Sequence, residues 1–272
     1  MPQHDYTAAF RALHDKGNFL ILANVWDAAS ARLTQEAGAK AIATSSAALA
    51  WANGYPDGDA LPVDVHARAV EAIARVIDLP LSVDSEGGYS DDPAQAAENI
   101  GRLIDAGAVG INLEDGTGAP ELLAAKIEAV KGVAAKRGVD LFVNARVDTV
   151  LHSLVPAEDA AAETIRRARL YASAGADGIF APGVTEAQAV AQIVEAVDPL
   201  PLNLLVWPGL APLDDLKAAG VRRLSAGGRI ARGAYSHAYA SATDLLKTGS
   251  ASDLLSRTSD ELPNLNALLG EE

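Results

Sequence analysis

Along most of the chain, short apolar runs alternate with longer Ala-rich amphipathic segments. The runs are 19-FLILANV, 41-AIATSS, 80-PLSVDSE, 109-VGINLED, 141-LFVNARVD, 178-GIFAPG, 202-LNLLVW and 222-RRLSAGG. Each is short and almost continuously apolar, the pattern of a parallel strand covered on both faces. The segments between them space apolar residues as helices do. One, 93-PAQAAENIGRLIDAG, opens with Pro at a first-turn position and closes on Gly. Four helices end alike, in EAGAK, DAGAVG, SAGADG and AAGVRR, each with Gly at a C-cap position just before the next strand. Eight strands, each followed by a helix, predict a closed (β/α)8 barrel over residues 1–246. An open doubly wound sheet is the alternative, but no G-x-G-x-x-G follows the first strand. No linker or low-complexity tract divides 18–246. Residues 247–272 carry a Gly-Ser turn and then apolar residues at mixed spacing, which reads as a helical extension that contacts another subunit or as a surface tail.

Length agrees, since 272 residues suit one such barrel. With 49% hydrophobic and 21% charged residues, disorder is excluded as the main state. The 22 Lys+Arg against 36 Asp+Glu give a net charge of −14, a surface that repels nucleic acid. Cys is absent, which excludes disulfides, Cys-ligated metals and a Cys nucleophile. No apolar run reaches the ~18 residues of a membrane span. The opening MPQHDYTAAFRALHDKG is polar and lacks an apolar core, so a cytoplasmic location is expected.

In a barrel of this kind, polar side chains at the C-terminal ends of strands face the ligand site. Alternation puts Asp84 with Glu86 on one face of the third strand end, Asn112 with Glu114 on the fourth, and Asn144, Arg146 and Asp148 on the fifth. Asn24 and Trp26 end the first strand. Thr44, Ser45 and Ser46 end the second, before a loop that reaches Asp57. Two like charges about 4 Å apart repel by roughly 4 kcal/mol at an effective dielectric of 20, so such acids are protonated or neutralised by a cation. An all-oxygen donor set suits a hard divalent ion, Mg2+ first and Mn2+ as a substitute. Read blandly, each acid caps a helix or pairs with a loop cation. Arg146 is the only basic residue expected in the ring. Its planar fork suits a substrate carboxylate or an ion pair with Glu114, and the two are compatible. Ser45 and Ser46, with the backbone N–H groups after them, could grip a second anionic group. His4, His14, His66 and His237 read as solvated or satisfied, while His152 lies near the mouth. Trp51 and Tyr55 either line a pocket or pack their loop.

Together these residues resemble the isocitrate lyase/phosphoenolpyruvate mutase superfamily, in its phosphonomutase-like branch. The resemblance rests on 24-NVWDAASARLTQEAG, 42-IATSSAALAWANGYPDG, 81-LSVDSEGGYSDDP, 109-VGINLEDG, 142-FVNARVD, 176-ADGIFAPGV and 207-WPGLAPLDDLKAAGVRRLSAGG, nearly the whole barrel. Its most specific part is D-x-D/E-x-G-Y, here Asp84-Ser-Glu86-Gly-Gly-Tyr89. The resemblance implies a TIM-type barrel whose last helix is often exchanged within a homotetramer or homodimer. It implies Mg2+ held by Asp84, with Glu86 and Glu114 acting through water. It places the carboxylate or phosphonate grip on Ser45, Ser46 and Ala47, the loop acid on Asp57 and the arginine on Arg146. Trp26, Asn112 and Asn144 join them as substrate-side candidates. The implied chemistry breaks or makes a C–C or P–C bond beside a 2-oxo or 2-hydroxy acid, through an enolate of pyruvate.

The chain departs from the family after Glu114. Isocitrate and methylisocitrate lyases carry a K-K/R-C-G-H segment there, with Cys as the acid/base. This chain runs Glu114-Asp115-Gly-Thr-Gly-Ala-Pro-Glu121. Decarboxylation of a 2-oxo diacid such as oxaloacetate demands least of that loop, because CO2 leaves without needing a proton. Hydrolysis or rearrangement of phosphonopyruvate/phosphoenolpyruvate is the rival, and lysis of a substituted malate with Tyr89 or His152 handling the proton is a third reading. A protein that binds a 2-oxo acid without turnover is the non-enzymatic alternative.

Overall fold

The computed structural model describes residues 3–256 and 262–270. Its helices are α1 (Gln3–Ala12), α2 (Ala28–Glu36), α3 (Ser46–Ala52), α4 (Val63–Ala74), α5 (Pro93–Asp105), α6 (Pro120–Lys136), α7 (Ala160–Ser173), α8 (Ala187–Val197), α9 (Leu213–Ala218), α10 (Arg229–Thr248), α11 (Ala251–Ser256) and α12 (Leu265–Gly270). The strands are β1 (Leu20–Leu22), β2 (Asn24–Val25), β3 (Ile42–Thr44), β4 (Leu81–Asp84), β5 (Gly110–Glu114), β6 (Phe142–Arg146), β7 (Gly178–Phe180), β8 (Leu202–Leu205) and β9 (Arg223–Ser225). All pairings are parallel, in the order β1-β9-β8-β7-β6-β5-β4-β3-β2. β1 and β2 are two halves of one barrel strand interrupted at Ala23; the first half pairs β9 and the second β3. Eight strand positions thus close the ring, and every apolar run expected to be a strand is one.

Helix ends follow their local chemistry. The Asp92 carboxylate caps α5 by accepting the Ala94 N–H at 3.0 Å, and Pro93 occupies the first turn. The four anticipated terminal glycines, Gly38, Gly107, Gly175 and Gly220, all have φ between 88° and 115°.

Most of the core lies between strands and helices. A second cluster of Phe10, Leu20, Leu22, Ala41, Ala43, Val109 and Phe142 joins α1 to the strands at the end opposite the site. Gly110 permits this approach, since a Cβ there would stand 2.6 Å from the Phe10 ring. His14 stacks on Phe142 with ring centroids 4.3 Å apart, and its Nδ1 lies 2.8 Å from the Phe10 carbonyl oxygen.

Helix α10 behaves differently. Over its 20 residues only Ala231 is buried, and Ile21 on β1 is left 52% exposed. No helix among the described residues is long and apolar enough to cross a membrane.

Burial, with the Arg223 charge next in size, lowers the His14 pKa to about 3. The unfolded chain binds a proton at this histidine near pH 6.5 and the folded chain does not, so stability is full above 6.5 and falls with pH towards 3. At pH 5 the loss is about 2 kcal/mol. His14→Phe, measured by urea unfolding from pH 7 to 4, is expected to flatten this dependence by close to one proton. An unchanged slope would contradict it.

Candidate active site

The C-terminal ends of β3 to β6 bring the anticipated residues together. Asp84 ends β4, and its Oδ2 accepts the backbone N–H of Ser46 at 3.1 Å. Its Oδ1 receives the Asn112 side-chain amide at 3.4 Å from the next strand. Glu114 and Arg146 are register partners on β5 and β6, and their side chains form an ion pair. Arg146 Nε also donates to Asp148 Oδ1 at 2.7 Å. Of the two sequence readings of Arg146, these contacts match the ion pair with Glu114.

The crowding of acids shows in their protonation. Burial pushes Glu86 up to about 7; the Asp59 N–H bond opposes this, and the charges of Asp59, Asp84 and Asp57 add to it. Burial also raises Glu114 well above the carboxylate range, against the pull of Arg146. Asp148 is raised for the same reason, with Arg146 opposing. Asp57 lies on an exposed loop, yet desolvation and the Asp84 charge raise its carboxyl; Arg146, the Ser46 hydroxyl and the Gly58 N–H hold it down. Arg146 is raised, since burial, which disfavours its charge, is outweighed by Glu114, Asp148 and Asp84.

Among the described residues no three acidic or histidine side chains converge as a ready-made metal cage. Glu86 turns to the Asp59 N–H and Glu114 to Arg146. The residues nevertheless fit a hydrated divalent ion. The donors are all oxygen, and buried Asp148 Oδ2 lacks a hydrogen-bond partner among the described residues, with His152 Nε2 3.8 Å away. Mg2+ needs only one or two direct carboxylates and keeps several waters.

Several candidates are placed differently from expectation. Asn112 and Asn144 lie below the mouth: Asn144 Nδ2 donates to Asn112 Oδ1 at 2.8 Å, and Asn112 in turn supports Asp84. Arg146 is not the only basic residue inside the ring. Arg223 on β9 is 1% exposed and donates to Asn112 Oδ1 at 3.3 Å, with Nε and Nη1 unpartnered among the described residues. Burial lowers its pKa to about 9. Ser45 caps α3, Ser46 and Ala47 stand in its first turn, and Trp26 is half-buried beside Tyr235 of α10 at 6.1 Å. The Tyr89 hydroxyl meets Nδ1 of buried His66 at 2.8 Å, and burial lowers that histidine to about 4. His152 Nε2 lies 3.8 Å from Asp148 Oδ2.

Asp115 was not singled out for a role of its own, although it is the Asp of the E-D pair. Its Oδ1 accepts the Asp148 N–H at 2.9 Å, and its Oδ2 accepts Arg167 Nη1 at 2.9 Å and the Tyr171 hydroxyl at 2.5 Å. Arg167 and Tyr171 come from α7, some fifty residues on, so only the fold reveals the network that fixes the Arg146–Asp148 turn. Asp115 to Ala119 form a tight turn closed by Gly118 N–H on Asp115 O at 2.7 Å. That turn offers no free titratable side chain to the mouth.

A sequence profile described as phosphoenolpyruvate phosphomutase matches residues 10–246. The chain belongs to this family. It is an enzyme of the isocitrate lyase/phosphoenolpyruvate mutase superfamily. It is 32% identical to 2-methylisocitrate lyase of Escherichia coli (strain K12), over 81% of this chain and 78% of that one. Oxaloacetate decarboxylase of Pseudomonas entomophila (strain L48) is 30% identical, over 80% and 77% of the two chains. A crystal structure from Burkholderia cenocepacia J2315, provisionally described as a phosphonomutase, superposes with a TM-score of 0.82 at 39% identity, covering 91% of this chain and all of that one.

If the acid cluster holds Mg2+, saturating Mg2+ stabilises the wild type, by about 2.7 kcal/mol at a hundred times the dissociation constant. Asp84→Asn abolishes that gain. In EDTA the variant melts near the wild type, because removing one of the like charges offsets the one acceptor contact, from Ser46 or Asn112, that the amide gives up. Thermal melts of both proteins with and without Mg2+ decide the point, and an equal Mg2+ gain in the variant would refute it.

Proposed function

We propose that this member of the family cleaves, with Mg2+, the C–C bond beside the carbonyl or hydroxyl carbon of a small 2-oxo or 2-hydroxy dicarboxylic acid, with oxaloacetate decarboxylation as the leading reaction. The observation that carries this is the short turn Asp115–Ala119, whose only acid is bound to Arg167 and Tyr171. A carbon leaving group that must be protonated finds no donor there. Carbon dioxide needs none.

In this reading Asp84, Glu86 and Glu114 are the residues that would hold the cation. The cation would withdraw charge from the substrate's carbonyl oxygen as an enolate forms. Arg146, kept rigid by Glu114 and Asp148, fixes the 1-carboxylate so that the breaking bond aligns with the carbonyl π system. The first turn of α3 faces the second anionic group. The bond to the 4-carboxylate breaks, its electrons pass into the enolate, CO2 departs, and a proton from water then gives pyruvate. Asp57, hydrogen-bonded to Ser46, closes the mouth from the β3 side.

P–C chemistry on phosphonopyruvate is the second reading. It is favoured by the 39% identity to the protein provisionally described as a phosphonomutase, and it would use Asp57 or an activated water as the nucleophile.

The working form is proposed to be a homo-oligomer, dimer or tetramer, in which α10 and the segment after it cover a second copy. Supporting this, Ile21 is exposed beside a groove that includes Leu13, Phe19, Leu33 and Ile230, while Tyr239 and Leu246 on α10 are 77% and 86% exposed. Light scattering at micromolar concentration should give a dimer or tetramer, and Tyr239→Asp with Leu246→Asp should shift it towards monomer. A monomeric wild type would remove this assembly.

The deciding assay is pyruvate formation from oxaloacetate, corrected for spontaneous decay. Activity lost in EDTA and in Asp84→Ala supports decarboxylation. No enzyme-dependent rate overturns that substrate, and release of phosphate from phosphonopyruvate would establish the second reading instead.

A further inference from the structure

Asp57 sits in a mostly exposed loop between α3 and buried Leu61, where only Tyr55 packs partly against the core. Asp57 itself bonds the Ser46 side chain, and the loop carries a second anchor beyond it. Two residues on, Asp59 makes a reciprocal contact with the turn after β4. Its backbone N–H donates to the Glu86 carboxylate, and its own carboxylate accepts the N–H groups of Gly87 and Tyr89. Gly87 allows the approach, since a Cβ there would lie 3.0 Å from Asp59 Oδ2. From the far side, buried Lys126 of α6 donates to Gly87 O at 2.7 Å and anchors the turn.

Backbone strain concentrates at the same place. Among the described residues four non-glycine residues have positive φ, and three meet here: Asp59 at 55°, Glu86 at 48° and Tyr89 at 60°. Such conformations persist only where the surroundings over-determine them, and they gather at functional sites. Both sides of the contact are strained, and each satisfies the other's hydrogen bonds.

We propose that Asp59 is a positioning residue: its clasp on the Glu86–Tyr89 turn seats the loop so that Asp57 faces the reacting centre. The inference rests on the proposed role of Asp57, which closes the mouth in the decarboxylation reading and is a candidate nucleophile in the P–C reading. Asp59 touches no substrate in this account and acts through Asp57 alone. It sets how often the loop is seated, and with that the turnover rate, while Arg146 and the first turn of α3 still bind the substrate.

The first test needs no substrate. Hydrogen exchange on the full-length protein should show slow exchange of the Asp59 amide in the wild type. Asp59→Ala should speed exchange across residues 57–60 at least about tenfold while the rest of the barrel keeps its protection. Asp59→Asn, which keeps one acceptor oxygen, should fall between. The second test is kinetic, on oxaloacetate or phosphonopyruvate, whichever the wild type consumes. Asp59→Ala should lower kcat by about 10²-fold with KM nearly unchanged, as expected of a misplaced group. The double variant with Asp57→Ala should be no slower than Asp57→Ala alone. Unchanged exchange in Asp59→Ala, or a double variant clearly slower than Asp57→Ala, would overturn the proposal. A wild type that consumes neither acid defeats the functional reading, and the exchange result then decides the clasp by itself.

Discussion

One guanidinium surrounded by acids is the constraint to which the whole mouth of the barrel answers. Arg146 pairs with Glu114 and Asp148, and the charges of Asp84 and Glu86 also reach Glu114. Burial raises these carboxyls first, their mutual repulsion adds to it, and Arg146 opposes the shift without cancelling it. A buried site with surplus acid is the electrostatic setting in which the proposed divalent cation and the proposed carboxylate contact of Arg146 make sense. The chemistry proposed for the protein follows from that imbalance.

Keeping such a cluster in place requires support from several directions. Beneath it Arg223, Asn144 and Asn112 form a hydrogen-bonded layer that ends on Asp84. Behind β5 and β6, Asp115, Arg167 and Tyr171 fix the turn that carries Asp148. At the opposite end α1 closes the barrel with Phe10 against Phe142. These partners orient the working side chains in the way outer-shell residues commonly do. Stabilising support and reactive crowding are thus separated along the barrel axis.

Much of this was legible in the chain itself. The alternation of runs and the four terminal glycines gave the barrel, because strand and helix periods and the left-handed C-cap are local properties. Spacing of two put Asn144 and Arg146 on one strand, and parallel pairing then brought Glu114 opposite Arg146. Glu86, by contrast, lies past the end of β4 with φ 48° and turns to the Asp59 N–H. Arg223 was harder to see. It stands in 222-RRLSAGG, where two adjacent arginines look alike, yet Arg222 reaches backbone carbonyls near the Asp198–Pro199 corner and Arg223 points into the barrel. Tyr89 read as a candidate for the mouth, but a positive φ and the His66 contact turn its hydroxyl towards α4.

The sequence by itself therefore determined the architecture, the acid-rich strand ends, the absence of a sulfur nucleophile and the lack of a proton donor after Glu114. These depend on residue identity and short-range periodicity. Tertiary structure decided which acids share a buried site, which asparagines are spent on support, and how the Asp57 loop is held against the Glu86 turn. Those outcomes depend on contacts between residues tens to more than a hundred positions apart, and only closing the barrel creates them.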